Sequence, residues 1–208
     1  MKKLLILLVT GITLLALTAC SSTPGGQNTA ESTPSPSASS QEQADADGGS
    51  RVLIAYFTQT GNTEAVANKI AGLTGGTLFQ VETAEAYPED YDALTDRAQQ
   101  EQDENARPAL STHVNNMGSY DIVFVGYPIW WGTMPMAMST FLEEYDFSGK
   151  TVIPFCTHGG SALGSSEQDM AALIPGADLR GGLAVRSGEA DTSDSAVQSF
   201  IQELGFEF

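Results

Sequence analysis

The sequence from residue 51 onward predicts an α/β fold, a doubly wound sheet of five parallel strands with helices on both faces. Short apolar runs alternate with segments whose apolar residues are spaced for amphipathic helices. This alternation is typical of parallel strands joined by right-handed helical crossovers. Loops rich in glycine and hydroxyl groups follow the first, third and fourth apolar runs. Because open parallel sheets bind ligands at the carboxyl ends of their strands, these loops form the predicted site.

The first strand is predicted at residues 52–57, which form an unbroken apolar run. Beyond a polar loop, Val66, Ile70 and Leu73 recur at helical spacing, which indicates a helix with one buried face. A pair of glycines ends this pattern, and a second strand is predicted at residues 78–83.

The loop between the first strand and the first helix, Thr58–Thr63, has the sequence Thr-Gln-Thr-Gly-Asn-Thr. A turn here would direct the N–H groups of a helix N-terminus, three threonine hydroxyls and the Asn62 amide at one anionic group. The segment lacks the lysine of a Walker loop and the spacing of the G-x-G-x-x-G dinucleotide fingerprint. It therefore predicts a phosphate site that needs no lysine.

The middle of the domain holds the clearest strand, residues 122–125, whose unbroken apolar run is typical of a strand covered on both faces. Before it, Tyr91, Leu94 and Ala98 are spaced for a helix within an acidic, solvated segment. After it, a helix is predicted to begin near Pro135.

The last third of the chain adds a fourth strand at residues 151–156, a helix, a fifth strand at residues 179–185 and a closing helix. Pro154 argues against a central position for the fourth strand, because proline lacks a ladder donor. Ser166 and Asp169 are spaced as in a capping box, which predicts the start of the intervening helix.

The second and third loops offer aromatic and polar groups for a planar ligand. Trp130 and Trp131 stand in the second loop, residues 128–132, which is bracketed by Pro128 and Gly132, and either indole could cover an aromatic ring. The alternative for one of them is packing into the core, because adjacent residues of an extended segment point apart. In the third loop, residues 157–161, His158 could donate to a ligand, or it could be a partly exposed histidine without one.

Neither a catalytic nucleophile nor a metal site is predicted. Cys156 has no basic neighbour in sequence that would lower its pKa, so it is interpreted as a small core side chain. His113 has no partner at metal-ligand spacing, and the segment from Asp90 to Asp92 lacks the glycine and glutamate of a calcium loop.

The motifs together resemble the flavodoxin-like family of FMN proteins. The first loop resembles its T-x-T-G-N-T phosphate loop, and one branch carries Tyr-Pro, Arg-Pro, Gly-Tyr-Pro-Ile-Trp-Trp-Gly and Thr-His-Gly-Gly-Ser segments. These stand here at Tyr87-Pro88, Arg107-Pro108, Gly126–Gly132 and Thr157–Ser161. The resemblance implies the flavodoxin-like strand order 2-1-3-4-5 and noncovalent FMN, with its phosphate in the first loop and its ring between the other two. The cofactor-binding residues it implies are Thr58, Gln59, Thr60, Gly61, Asn62, Thr63, Pro128, Ile129, Trp130, Trp131, Gly132, Thr157, His158, Gly159, Gly160 and Ser161.

The N-terminal segment is predicted to export and anchor the protein. Two lysines precede an uncharged apolar run at residues 4–19, which has the length of a secretory signal peptide. Leu17–Cys20 resembles the lipobox of bacterial lipoproteins, which implies removal of residues 1–19 and lipidation of Cys20. The alternative is an uncleaved membrane anchor. Both place the domain outside the cytoplasm, on the extracytoplasmic face of the cell membrane.

A linker is predicted between this anchor and the domain. Residues 20–50 contain no large apolar or aromatic side chain, so they cannot bury enough surface to offset the entropy of ordering. An O-glycosylated stalk or a passive spacer is equally compatible with the composition. The predicted organisation is a signal peptide at residues 1–19, the lipidated cysteine and linker at residues 20–50 and the α/β domain at residues 51–208.

The domain is strongly acidic. From Arg51 onward, 22 Asp and Glu stand against 7 Lys and Arg, a formal charge of −15. Nucleic acid and anionic lipid surfaces are poor partners for such a surface. The expected partners are a redox protein or a small electron acceptor, and the membrane is expected to be contacted only through the lipid anchor.

The leading functional prediction is a membrane-tethered, FMN-binding electron-transfer flavoprotein. One alternative is an FMN-dependent NAD(P)H:quinone-type reductase, although no nicotinamide-binding fingerprint is visible. Another is a flavin-free ligand-binding or protein-binding module on the same fold. An electron carrier is favoured over an enzyme.

Overall fold

The structure is a computed structural model that describes residues 51–206. The predicted signal peptide at residues 1–19 and the predicted lipidation site and linker at residues 20–50 lie outside the described residues. No helix between residues 51 and 206 combines the length and the apolar character needed to cross a membrane.

Strands and helices alternate along the described chain. The strands are β1 (Val52–Tyr56), β2 (Thr77–Gln80), β3 (Ile122–Pro128), β4 (Thr151–His158), β5 (Asp178–Leu179) and β6 (Leu183–Arg186). The helices are α1 (Asn62–Thr74), α2 (Tyr91–Asp103), α3 (Met136–Glu144), α4 (Ser166–Leu173) and α5 (Asp194–Glu203). Short 3₁₀ helices occupy Met117–Ser119 and Ser187–Thr192.

The strands form one parallel sheet in the order β2-β1-β3-β4-β5, with β6 also pairing with β4. This confirms the predicted α/β class and the order 2-1-3-4-5. Alternate strand residues face opposite sides, so the sheet separates two apolar clusters. Ile54 and Phe124 pack with α1 and α5 on one face, whereas Leu53 and Val125 pack with α3 and α4 on the other.

The predicted fifth strand is two short strands, because the chain leaves the ladder between residues 180 and 182. Pro154 of β4 explains the break. The Thr151 N–H donates to the carbonyl of Asp121, just before β3. The carbonyl of the next residue, Val152, accepts from the Arg180 N–H on the opposite side of β4. Backbone groups alternate along a strand, so position 154 also faces β5 and β6, where proline offers no N–H. The expectation that Pro154 disfavours a central strand is therefore wrong, since β4 lies between two neighbours.

Two strands are longer than predicted. β3 continues to Pro128 and β4 continues to His158, so the first residues of the predicted second and third loops are strand residues. Ile129 N–H extends the pairing by donating to the Thr157 carbonyl at 2.8 Å. The ladder therefore fixes the start of both loops.

The predicted capping box of α4 is wrong in its position. Ser165 stands at the N-cap, and the carboxylate of Asp169 accepts from the hydroxyls of Ser165 and Thr133 at 2.8 and 2.5 Å. Ser166 is the first helical residue and is fully buried. Its hydroxyl accepts from the Tyr127 hydroxyl at 2.9 Å, which ties α4 to β3.

Candidate functional site

The carboxyl ends of β1, β3 and β4 surround a cavity of about 430 Å³. Small-molecule sites in proteins measure roughly 300–1,000 Å³. Its walls come from the three predicted loops, from α2 and from the residue after β6. The lining residues are Thr58, Gln59, Thr60, Asn62, Thr63, Tyr91, Leu94, Thr95, Ala98, Pro128, Ile129, Trp130, Trp131, Thr157, His158, Gly159 and Ser187.

The first loop forms an uncapped helix N-terminus. Gly61 stands at the N-cap of α1 with φ 83, a left-handed conformation that glycine adopts without steric cost. No side chain caps α1, so its first backbone N–H groups are left for a ligand. Thr58 Oγ1 accepts from the Gly61 N–H, and Asn62 Nδ2 donates to Thr60 Oγ1, both at 3.1 Å. The loop therefore has the geometry of an anion site.

A buried threonine pair joins the first loop to the third. Thr63 Oγ1 and Thr157 Oγ1 lie 2.9 Å apart, and both residues are 1% exposed. At the other side of the first loop, the Gln59 side-chain amide donates to the Pro88 carbonyl at 3.1 Å. These bonds hold the loop between β4 and the segment that precedes α2.

The two tryptophans face different surroundings. Trp130 packs edge-on against Phe57 and Tyr87, with ring centroids 5.5 and 5.1 Å apart. Trp131 is 52% exposed, and its Nε1–H donates to the Thr95 carbonyl of α2 at 2.9 Å. Trp130 thus packs largely on the core, as the alternative for one tryptophan anticipated, and Trp131 offers its indole to the cavity.

A tight turn produces this separation. Trp130 and Thr133 exchange two backbone hydrogen bonds, of 2.9 and 3.1 Å. The two residues between them, Trp131 and Gly132, have φ of 49 and 84, as in a type I′ turn. A tryptophan in the left-handed region costs roughly 1–2 kcal/mol, so the turn holds Trp131 against its own backbone preference.

His158 ends β4 and is 7% exposed. Its Nδ1 accepts from the Ala162 N–H at 3.1 Å, so the neutral ring carries its proton on Nε2. Burial lowers the pKa of His158, the charge of Arg186 lowers it further, and Glu189 opposes them. At neutral pH the side chain is therefore an uncharged donor beside the cavity.

Cys156 lies behind the third loop and is fully buried. Burial and the charge of Glu167 raise the pKa of its thiol to about 12. Its Sγ donates to the Ala162 carbonyl at 3.6 Å. The thiol is thus a protonated core group, in agreement with its sequence interpretation.

A larger groove of about 640 Å³ lies between α2 and the segments around residues 84 and 107. Its two arginines are already engaged. Arg97 Nε pairs with Glu101 at 2.8 Å, and Arg107 makes two 2.7 Å bonds to Glu143 of α3. We therefore place the candidate site at the sheet edge, where the helix N-terminus leaves its donors to a ligand.

Comparison with known proteins identifies the family. The family model described as Flavodoxin matches residues 51–203. The chain belongs to the flavodoxin family. A solved structure of a candidate flavoprotein from Bacteroides eggerthii is 32% identical, with a TM-score of 0.68, over 76% of this chain and 100% of that one.

Two further structures are similar to the flavodoxin-family domain. A candidate flavoprotein from Bacteroides uniformis is 32% identical, with a TM-score of 0.67, over 74% of this chain and 99% of that one. A flavoprotein in complex with FMN from Lactobacillus acidophilus is 22% identical, with a TM-score of 0.58, over 69% of this chain and 98% of that one. No curated protein matches the chain significantly.

The structure brings twelve of the sixteen sequence-predicted site residues of this flavodoxin-family chain to the cavity. The other four are glycines or lie further along the loops, and none lines the cavity: Gly61, Gly132, Gly160 and Ser161. Sequence reasoning missed the wall that α2 contributes. The spacing of Tyr91, Leu94 and Ala98 predicts only a helical stripe. The one sequence signal for a wall is an aromatic residue, Tyr91, within an acidic segment, and the structure shows that it is 74% exposed and lines the cavity.

The Tyr87-Pro88 segment packs against α2 and supports the wall that this helix forms. Tyr87 is 7% exposed, its hydroxyl donates to Glu101 Oε2 at 2.7 Å, and the Arg97 guanidinium lies 4.3 Å from its ring centroid. Burial and the bond to Glu101 raise the pKa of Tyr87. Because Tyr87 also contacts Trp130, one network connects α2 to the second loop.

Proposed function

We propose that this flavodoxin-family protein binds FMN noncovalently and carries electrons, tethered to the extracytoplasmic face of the cell membrane through a lipid on Cys20. The observation that carries the FMN proposal is the convergence at one sheet edge of an uncapped helix N-terminus, a fixed half-exposed tryptophan and a neutral histidine donor.

The residues present fit the three parts of FMN. A phosphate dianion needs converging N–H and hydroxyl donors, which Thr58, Thr60 and the start of α1 supply. A flavin ring needs an aromatic wall, and Trp131 supplies one. Its carbonyl edge needs donors, which His158 and the glycine-containing third loop can offer. Bound FMN would supply reversible electron transfer.

Known relatives support the same ligand. The flavoprotein from Lactobacillus acidophilus, which shares the fold, is in complex with FMN. The two Bacteroides structures at 32% identity are candidate flavoproteins. These comparisons support a flavin protein; the electron-carrier role rests on the site and on the absence of a nicotinamide fingerprint from the sequence.

The tether rests on the sequence before residue 51. The signal sequence lacks a twin arginine, which favours export as an unfolded chain. FMN would then be captured outside the cytoplasm by the folded domain. The partner would be a basic redox protein or a small acceptor, because the acidic domain repels anionic surfaces. In the full chain, Cys20→Ser should abolish lipid attachment, measured by incorporation of a labelled fatty acid; lipid attachment that persists in this variant would contradict this part of the proposal.

The FMN site is tested by titrating the purified chain with FMN and riboflavin and following flavin fluorescence. Thr60→Ala combined with Asn62→Ala should weaken FMN at least tenfold and leave riboflavin nearly unchanged, because only FMN carries the phosphate. A matched control removes the same groups elsewhere: Thr140→Ala with Asn115→Ala, at positions outside the cavity. Equal losses for both ligands would mean that the phosphate binds at another place.

A further inference from the structure

One cation at the candidate site is unengaged. Residues 51–206 contain seven Lys and Arg, and six of them make an ion pair, a hydrogen bond or an aromatic contact in this part of the chain. These six are Arg51 over Tyr120, Lys69 with Asp194, Arg97 with Glu101, Arg107 with Glu143, Lys150 with the Tyr120 carbonyl and Arg180 with Asp178. Among these described residues, Arg186 alone has no such contact.

Arg186 lies beside the cavity. It is the last residue of β6 and pairs in register with His158, the last residue of β4. The next residue, Ser187, lines the main cavity. Arg186 and His158 also line a second cavity of about 380 Å³, so His158 separates the two spaces. An unpaired cation thus stands one strand away from the candidate flavin site.

The charge of Arg186 reaches the His158 ring. It lowers the pKa of His158, second only to burial, and the carboxylate of Glu189 offsets part of this effect. The Ala162 N–H occupies Nδ1, which directs the remaining proton of the ring to Nε2. Arg186 therefore helps to keep His158 a neutral donor and adds a positive field at this end of the cavity. The domain as a whole has a formal charge of −15, so a positive field at this place differs in sign from that of the domain.

We propose that Arg186, acting beside His158, makes the cavity bind reduced flavin more tightly than it otherwise would. The inference rests on the proposed FMN function. Two electrons from a reductant such as dithionite, together with one proton from water, add one net negative charge to a flavin. A nearby cation stabilises that charge, whereas the overall acidic surface opposes it. Arg186 is thus a tuning residue that need not touch the ligand.

The test compares Arg186→Gln with Arg186→Lys in the full chain. The matched control is Arg180→Gln, which removes another exposed arginine that is paired with Asp178. Two quantities are measured: the pKa of His158 by NMR without flavin, and the midpoint potential with FMN by dithionite titration. Circular dichroism confirms that each variant is folded.

Arg186→Gln should raise the pKa of His158 and weaken binding of reduced relative to oxidised flavin by roughly three- to tenfold. A tenfold change lowers a two-electron midpoint by about 30 mV. Arg186→Lys should retain most of both properties, and Arg180→Gln should change neither.

An unchanged midpoint potential in Arg186→Gln would overturn the proposal, even if the pKa of His158 rises. The charge of Arg186 would then affect the histidine but not the bound flavin. An equal fall in Arg180→Gln would also overturn it, because the effect would be one of net charge alone. Failure of the proposed function is a separate result: the unmodified chain would then bind no FMN, although the pKa of His158 could still respond to Arg186.

Discussion

At the residue scale, Trp130 and Trp131 are neighbours with opposite environments. The I′ turn gives Trp131 φ 49 and directs Trp130 toward Phe57 and Tyr87. The hydrogen bond from the Trp131 ring to Thr95 then fixes the exposed indole on α2. A strained backbone and an exposed indole both reduce stability, so stability alone does not explain this residue. The combination points to contact with a ligand.

Trp131→Asn should separate stability from binding. Asparagine tolerates the left-handed region, so relief of strain offsets the lost hydrogen bond and the free energy of unfolding should change by less than about 1 kcal/mol. FMN affinity should fall about tenfold as the aromatic wall is lost. Urea unfolding and fluorescence titration measure the two effects.

The neighbouring variant Trp130→Ala serves as the contrast. It removes contacts with two buried rings and should cost about 3 kcal/mol. If Trp131→Asn destabilised the domain as much as Trp130→Ala, the exposed indole would be a structural residue and its role in the cavity would be refuted.

The sequence could predict that one tryptophan would pack inward but not which one. The direction depends on the turn type, and this type I′ turn, with tryptophan at its first central position, keeps only the glycine of the usual Asn-Gly signature. His158 is a similar case. Its position after a strand predicts a place at the site, but its neutral state depends on Ala162 and Arg186, which reach it only in the folded chain.

At the element scale, the split of the last strand illustrates how one residue alters a ladder. Pro154 faces β5 and β6, and Gly182 crosses directly over it. A Cβ on Gly182 would lie 2.8 Å from Pro154 Cγ and 2.9 Å from the Pro154 carbonyl oxygen. The backbone therefore passes the proline ring at a distance that only glycine permits.

Gly182→Ala should destabilise the domain by about 1–3 kcal/mol, because the backbone must shift to admit the methyl group. Gly181→Ala is the matched control, since a methyl group at that position would have no other atom within 4 Å beyond its chain neighbours. It should change stability by less than about 0.5 kcal/mol. Chemical denaturation of both variants decides the point, and equal effects would show that the crossing is not tight.

The order of strands and helices could be predicted because each has its own periodic pattern, as at residues 122–125 and at Val66, Ile70 and Leu73. The break at residues 180–182 could not be predicted from the sequence, because it depends on which neighbouring strand Pro154 faces. The cavity wall formed by α2 could not be predicted either. Its position depends on contacts made by Gln59 and Tyr87, which lie outside the helix.

At the scale of the whole molecule, the core holds protonated acids that titrate at high pH. Burial raises the pKa of the Cys156 thiol from 9.0 to about 12. Burial also raises the pKa of Tyr87 and of Tyr127 above the ordinary value of 10.0. The folded state thus keeps protons that the unfolded chain releases, so these groups favour folding less as pH rises.

The free energy of unfolding should therefore be insensitive to these groups below about pH 9 and should fall between pH 9 and 12, by up to about 1.4 kcal/mol per pH unit for each group. Urea denaturation at stepped pH measures the slope. Cys156→Ala should remove the first part of this decline in the free energy of unfolding, near pH 9–10. A constant stability to pH 12 would mean that these groups are accessible to solvent.

The acidic charge of the whole domain should act on the ligand as well. A formal charge of −15 disfavours the negative charge that a flavin gains on reduction, and salt screens this repulsion. The midpoint potential should be low and should rise between about 10 mM and 500 mM salt, where the Debye length falls from roughly 30 Å to a few ångström. A potential independent of salt would remove the role of net charge.

The polarity of the sheet has a practical consequence. β1 begins at Val52 on the amino edge of the sheet, whereas the cavity lies at the carboxyl edge, five strand residues or about 16 Å away. A chemical handle placed before residue 51 therefore joins the domain at the end opposite the ligand. Attached to a sensor chip in this way, the protein would present its cavity to the solution, open to added ligand.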